Sequence, residues 1–232
     1  MKIINATLSA AAIAATLLAP AQAADTAATV KTTVKEHAVQ LTKFSNYWGA
    51  QNKTTYLQTW DVSTPAGETF LALCIEPGQN AKQDIQDYAV TTGFTFGAKS
   101  SNVDRLFGLF YGSASAVGGG AESLSFQIAL WDLLEDDGNL GTGNLIALAT
   151  DNVSGQRAAA GAIIMRANTM LADVTTEKDY TTKYAYTQYS SGTLQDFVTA
   201  TPLAAVPEPS TWAMLGLGLA LVGFTARRRS KR

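Results

Sequence analysis

Thr69-Phe70-Leu71-Ala72-Leu73-Cys74-Ile75-Glu76, closed by Pro77-Gly78, is the stretch on which the fold turns. Side chains alternate across a strand, and here both sets are apolar: Phe70, Ala72 and Cys74 on one side, Leu71, Leu73 and Ile75 on the other. A strand of that kind is buried on both faces. Further strand-like runs, rich in β-branched and aromatic residues, span Tyr56 to Ser63, Asp87 to Phe96 and Tyr184 to Tyr189. Helix-like runs span Asn102 to Tyr111, Ser123 to Asp136 and the alanine-rich Ser154 to Asp173. Strands come first, helices cluster in the middle and strands return. That order predicts an α+β fold, a mostly antiparallel β-sheet or barrel with an inserted helical layer.

Within the Ser123 helix, a rotation of about 100° per residue puts Leu124, Leu130, Trp131 and Leu134 on one apolar arc, with Gln127 near its centre. Ser125, Asp132 and Glu135 fall away from that arc. An inward-facing amide without a partner costs a few kcal/mol, so Gln127 is either hydrogen-bonded to buried backbone or chemically modified. Cys74 is the only cysteine. A lone cysteine in a strand is ordinarily a small core hydrophobe. In an exported protein no reducing pool protects it, and an odd thiol then calls for an explanation.

Both ends read as address labels. Residues 1–23 carry Lys2, an apolar alanine-rich stretch with Leu8, Ile13, Leu17 and Leu18, and a small-residue site at Ala21-Gln22-Ala23. This is the pattern of a secretory signal peptide. At the other end, Pro202, Pro207 and Pro209 mark a linker over residues 202–211. Residues 212–232 then hold Trp212, an apolar run from Ala213 to Ala226, and the cluster Arg227, Arg228 and Arg229. The run is shorter than the roughly 20 residues that span a bilayer comfortably, and the arginines belong on the cytoplasmic side. A transient membrane anchor with a membrane-held intermediate is expected. This tail closely resembles the PEP-CTERM sorting signal of Gram-negative bacteria, on the order Pro207-Glu208-Pro209, apolar stretch, arginine cluster. The resemblance implies processing by an exosortase and delivery to the cell surface or the exopolysaccharide matrix.

The chain has 232 residues, of which 47% are hydrophobic and 16% charged, with a formal charge of −2. Such a composition is that of a folded domain and not of a disordered chain. Without its two ends the chain loses six of 17 basic residues and one of 19 acidic ones, leaving 11 against 18, or about −7. This balance disfavours polyanionic partners, and no nucleic-acid partner is expected. One cysteine and one histidine cannot build a zinc or disulfide framework. Residues 24–201 contain no repeat and only Pro65 and Pro77, so they are read as one domain.

Leu73-Cys74-Ile75-Glu76 and Phe126-Gln127-Ile128-Ala129-Leu130-Trp131 resemble, as a pair and in this order, the two signatures of surface thioester domains known from Gram-positive adhesins. Phe126 and Glu76 stand where Thr and Asp are common in that family. The resemblance implies an internal thioester between Cys74 and Gln127, with the cysteine sulfur on the glutamine side-chain carbonyl and ammonia expelled. It extends loosely over residues 40–200. A carboxamide is a poor electrophile unless held at attack distance and shielded from water, and Trp131, one turn after Gln127, is placed to shield the bond. An incoming amine would end in an amide bond to Gln127. One turnover per molecule is covalent attachment and not enzyme catalysis.

Other candidates are weaker. His37 has no partner at a recognisable spacing and is read as a solvated residue of a strand-poor segment. Asp132, Glu135, Asp136 and Asp137 crowd a helix C-terminus, where acids oppose the dipole. They raise the idea of a calcium loop, but the alternating spacing of a known loop is absent. No metal site and no cofactor are expected. Gly118 to Gly120 lacks a following Lys-Ser/Thr and is a loop. No Ser-His-Asp order or carboxylate pair suggests a hydrolase. The expected protein is therefore an exported surface or biofilm-matrix protein, with an amine-bearing surface or matrix molecule as covalent partner. The alternative is a non-covalent structural or exopolysaccharide-associated matrix protein in which Cys74 and Gln127 are core residues.

Overall fold

In a computed structural model, the protein is described over residues 26–42, 54–116, 120–149, 156–178, 180–204, 214 and 216–219. Residues 1–23, expected to be a signal peptide, and Pro207, Glu208, Pro209, Trp212, Arg227, Arg228 and Arg229 lie outside the described residues. Among the described residues no helix is long and apolar enough to cross a membrane.

Seven strands are described: β1 (Thr26–Thr42), β2 (Thr54–Ser63), β3 (Thr69–Cys74), β4 (Asp84–Phe94), β5 (Leu148–Ala149), β6 (Tyr184–Ser190) and β7 (Phe197–Pro202). Every pairing between them is antiparallel. The order β2-β3-β7-β6-β4-β1 closes on itself because β1 also pairs with β2, and the short β5 adds to the far end of β1. The sheet is thus a closed six-stranded barrel. The long strand β1 makes closure possible. Its first half pairs with β4, from Thr26↔Val90 to Thr32↔Asp84, and the stretch from Lys31 onward pairs with β2, with register shifts between Val34 and Val39. Bulges of this kind bend a strand and let one segment serve two neighbours.

Three helices, α1 (Ser100–Ala114), α2 (Gly120–Glu135) and α3 (Gln156–Thr176), form the helical layer. The class is α+β. In α3 the buried residues Ala160, Ile163, Ala167, Met170, Leu171 and Val174 form a stripe at helical spacing. The helix α2 differs. Every residue from Ser123 to Leu133 is buried, Ser125 and Asp132 included, so the outward face expected from the apolar arc is itself covered. It lies against β1, β2 and β3 on one side, with α1 and α3 packed on it as well. The ion pair of Glu122 with Arg166, at 2.9 and 2.6 Å, ties its first turn to α3.

An aromatic cluster fixes the layer on the barrel. The ring of Phe107 in α1 meets Phe126 of α2 at 5.0 Å and Tyr186 of β6 at 4.8 Å, both edge-on. Inside the sheet, Phe197 packs on Trp60 and Tyr88, each at 5.9 Å. Both faces of β3 are buried from Leu71 to Cys74, as its double apolar pattern predicts, and so are both faces of β7 from Phe197 to Ala200.

Strands β1, β5 and β7 are additions to the sequence reading. His37 lies within β1, so its segment is not strand-poor, although its side chain is outside the described ones. Strand β7 reaches Pro202, the residue at which the linker was expected to start. Phe197 is fully buried where β2, β3, β4 and β7 meet. Phe197→Ala should therefore lower the unfolding free energy by about 3–5 kcal/mol, measurable as a shift of the urea midpoint at unchanged slope. A loss below about 1 kcal/mol would mean that this contact does not hold the barrel.

Candidate functional site

Cys74 is the last residue of β3, and the sheet geometry decides where its backbone points. The next N–H, that of Ile75, donates to the Asp196 carbonyl at 3.0 Å, on the β7 side. Successive peptide groups of a strand point to opposite edges, so the N–H and C=O of Cys74 point toward β2. There the pairing with β2 has already ended, at Trp60↔Ala72. The two polar groups of a buried residue are left without a strand partner.

Gln127 fills the gap. The Cys74 N–H donates to Gln127 Oε1 at 2.8 Å, and Gln127 Nε2 donates to the Cys74 carbonyl at 2.8 Å. The side-chain amide acts as one peptide unit of a missing strand, and both residues are buried, at 2% and 0% exposure. Of the alternatives open for an inward glutamine, the geometry shows hydrogen bonding to buried backbone, and the backbone is that of Cys74 itself. The carboxamide of Gln127 is therefore held against the Cys74 backbone by two bonds that also satisfy the strand end. Burial pushes the Cys74 thiol well above its ordinary pKa, against a smaller lowering by a backbone hydrogen bond. At neutral pH the group is a thiol.

Trp131, one turn further along α2, is buried at 4% exposure and lines a cavity of about 160 Å³ together with Cys74. The remaining lining includes Trp60 and the carboxamides of Gln58, Asn80 and Gln195. Among the described residues no charged side chain lines it, and the described lining is neutral and polar.

The segment 191–196 braces the exit of β3, and nothing in the sequence reading singled it out. Gln195 Nε2 donates to the Glu76 carbonyl at 2.8 Å, and the Gln195 N–H donates to the Asn80 carbonyl at 3.2 Å. Asp196 accepts from the Ser191 N–H at 2.8 Å and from Gln188 Nε2 at 3.0 Å. A Ser-Gly turn followed by an acid was the available signal. Burial raises the Asp196 carboxyl above its ordinary range. Glu76 is raised by burial first and by Asp196 second. The phenol of Tyr88 is pushed up to about 12 by burial, with Cys74 and Asp196 adding to it.

Asp132 follows Trp131 and faces a different place. Its carboxyl is raised to about 7, mainly by burial and then by Asp136 and Asp137. The structure thus brings Cys74, Gln127 and Trp131 together, and the acids of the α2 terminus form a separate cluster.

The two hydrogen bonds can be weighed in a Cys74→Ala background, where no bond to sulfur exists but the strand backbone is intact. Adding Gln127→Leu there leaves a buried N–H and a buried C=O unpaired, at about 1–3 kcal/mol each. The double variant should unfold at a clearly lower urea concentration than Cys74→Ala alone. Equal midpoints would show that the amide does not support the strand end.

Comparison with known proteins identifies the tail directly: residues 205–229 match the family model of the PEP-CTERM protein-sorting motif. No curated protein matches the chain. Solved structures of similar fold include the N-terminal domain of the Streptococcus pyogenes pilus tip adhesin Cpa, at 12% identity and TM-score 0.44, covering 72% of this chain and 94% of that one. The N-terminal thioester domain of fibronectin-binding protein SfbI from Streptococcus pyogenes matches at 11% identity and TM-score 0.42, over 63% of this chain and 87% of that one. The N-terminal thioester domain of a surface protein from Clostridium perfringens matches at 9% identity and TM-score 0.40, over 77% of this chain and 100% of that one. The chain carries a C-terminal protein-sorting motif, and its structural neighbours include a pilus tip adhesin domain and two thioester domains.

Proposed function

We propose that the protein is exported, sorted to the cell surface or extracellular matrix, and attached there through a Cys74–Gln127 internal thioester that captures an amine-bearing partner. The observation that carries this reading is the double hydrogen bond that holds the Gln127 carboxamide on the Cys74 backbone inside a water-poor site. In this reading residues 1–23 are a signal peptide, 24–201 the thioester domain, 202–211 a linker, and 212–232 a membrane stretch with a basic tail cut by an exosortase-type enzyme. The sorting motif at residues 205–229 supports the export half of the proposal.

The chemistry balances without a cofactor. The Cys74 sulfur forms a bond to Gln127 Cδ, the Cδ–Nε2 bond breaks, and the thiol proton leaves with the nitrogen as ammonia. The Cys74 N–H already points at Gln127 Oε1, so a donor stands where negative charge develops on the carbonyl oxygen during attack. A partner amine then forms a bond to Cδ, the C–S bond breaks, and the thiol regains a proton. The product amide is more stable than the thioester, so attachment is a single irreversible event. Burial of Cys74 and Gln127 protects the bond from water, and the cavity that Cys74 shares with Trp131 admits a polar nucleophile.

One observation favours the alternative of a non-covalent matrix protein, associated with exopolysaccharide. The same two hydrogen bonds engage both ends of the amide, and a strut of that kind stabilises the strand end without any reaction.

Intact mass separates the two. The domain purified without amines should be lighter than its sequence by one ammonia and show no titratable thiol on denaturation, and Cys74→Ala and Gln127→Ala should each restore the uncorrected mass. Methylamine should add at Gln127, free Cys74 and abolish wash-resistant attachment to the partner. An unmodified mass with one full thiol leaves the non-covalent account standing. For the address, a chain ending at Ala205 should be released freely, whereas the complete chain should pass through a membrane-held form. Full-length protein soluble in the cytoplasm and uncut at both ends would contradict the sorting scheme.

A further inference from the structure

We propose that Asp132, Asp136 and Asp137 form a binding site for a calcium-class divalent cation at the C-terminal end of α2. Oxygen atoms of the three carboxylates lie within 4.8 Å of one another. Two oxygens on opposite sides of a calcium ion, at about 2.4 Å each, stand about 4.8 Å apart, so the cluster has the span of one coordination shell.

The independent observation is the state of Asp132. Its exposure is 0%, and neither carboxylate oxygen has a hydrogen-bond partner. The N–H groups of Gly138 and Asn139 turn toward it and favour its charged form, without closing a hydrogen bond. A fully buried carboxylate with free lone pairs, aimed at two further carboxylates, is a ligand set awaiting a positive charge. The C-terminal dipole of α2 adds partial negative charge at the same place.

The other two acids are oriented by the following loop and keep ligand capacity. Asp136 Oδ2 accepts from the Leu145 N–H at 2.5 Å. Asp137 Oδ1 accepts from the Asn139 N–H at 3.0 Å and Oδ2 from the Thr142 hydroxyl at 2.9 Å. A carboxylate oxygen has two lone pairs, so each retains one for a cation. The loop closes tightly here: Gly143 has φ +76°, and a Cβ on it would fall on the Asp136 carboxylate. Lys99 Nζ meets the Asp136 carbonyl at 3.3 Å, outside the carboxylate cluster. An all-oxygen donor set selects a hard cation over zinc or copper, and irregular loop ligands suit calcium better than the strict octahedron of magnesium. The sequence spacing does not reveal this site because its buried ligand comes from the helix, four residues before the loop begins.

The test uses the protein after its calcium is removed with a chelator and the chelator is dialysed away. Titration with calcium chloride followed calorimetrically should give one site, terbium should show luminescence sensitised by tryptophan, and saturating calcium should raise Tm by about 5 °C. Asp132→Asn and Asp137→Asn should each weaken calcium binding at least about tenfold, since each removes one of three charged ligands. Asp137 is exposed, so its substitution probes binding without disturbing the buried end of the helix. Absence of binding heat and of any Tm shift, binding unchanged in both variants, or a response to magnesium and not to calcium would each overturn the proposal.

Discussion

A side-chain amide that stands in for a strand is the constraint on which the arrangement rests. Strand β2 stops pairing at Ala72, and the peptide groups of Cys74 then have to be satisfied by something other than backbone. A glutamine is the residue for that place because its side chain carries one acceptor and two donors in the geometry of a peptide. Supplying it from α2 fixes the helix relative to the barrel in both translation and rotation, since a shift of one residue would withdraw both hydrogen bonds. The contacts of Phe126 with Phe107 and Tyr111 hold the same turn from the other side. The site is therefore positioned by the fold and not by a mobile loop.

Much of this was legible in the sequence, for physical reasons that can be named. β3 announced its double burial through two apolar sets, and α2 announced an inward amide through the arc around Gln127. β4 and β6 are half-buried strands with aromatic residues, and they were placed within a few residues. β1 was not seen, because Lys31, Lys35 and Glu36 interrupt its apolar alternation, and a strand that bends between two partners keeps no single inward face. β7 follows a turn directly and is only six residues long. The brace at Gln195 and Asp196 was invisible for another reason. Its bonds reach Glu76 and Asn80 across more than 100 residues, and no local pattern encodes a contact of that range.

The same hydrogen bonds that hold the carboxamide would also oppose its consumption in the proposed thioester reaction. Forming a thioester removes Nε2, and with it the bond to the Cys74 carbonyl, so the strand end loses one of two partners at the moment the covalent link appears. A net hydrogen bond is worth about 0.5–1.5 kcal/mol, and because one C–N bond is exchanged for one C–S bond and the amide is the more stable acyl group, the exchange runs uphill until ammonia has escaped. Escape is the step that decides. In the proposed reaction, closing Cys74 off from water would keep the product from hydrolysis, whereas the cavity beside it would give the small leaving group an exit lined by carboxamides and, among the described residues, by no charged side chain. A charged lining would hold an ammonium ion by Coulomb attraction or repel the amine that must later enter.

Burying α2 on all sides imposes a partner on every polar residue it contains. Ser123 and Ser125 turn back onto the carbonyls of Gly120 and Ala121, a solution that needs nothing outside the helix. Gln127 takes the backbone of β3. Asp132 has neither remedy: a carboxylate cannot donate to its own helix, and the carbonyls of the last turn repel it. The polar residues of this helix thus divide by the reach of their partners, from its own turn, to the neighbouring strand, to a charge that no described side chain contributes. Gln127 and Asp132 are the two buried polar residues of this helix whose needs are not met within its own turn, and they are the residues on which the proposed thioester and the proposed cation site rest.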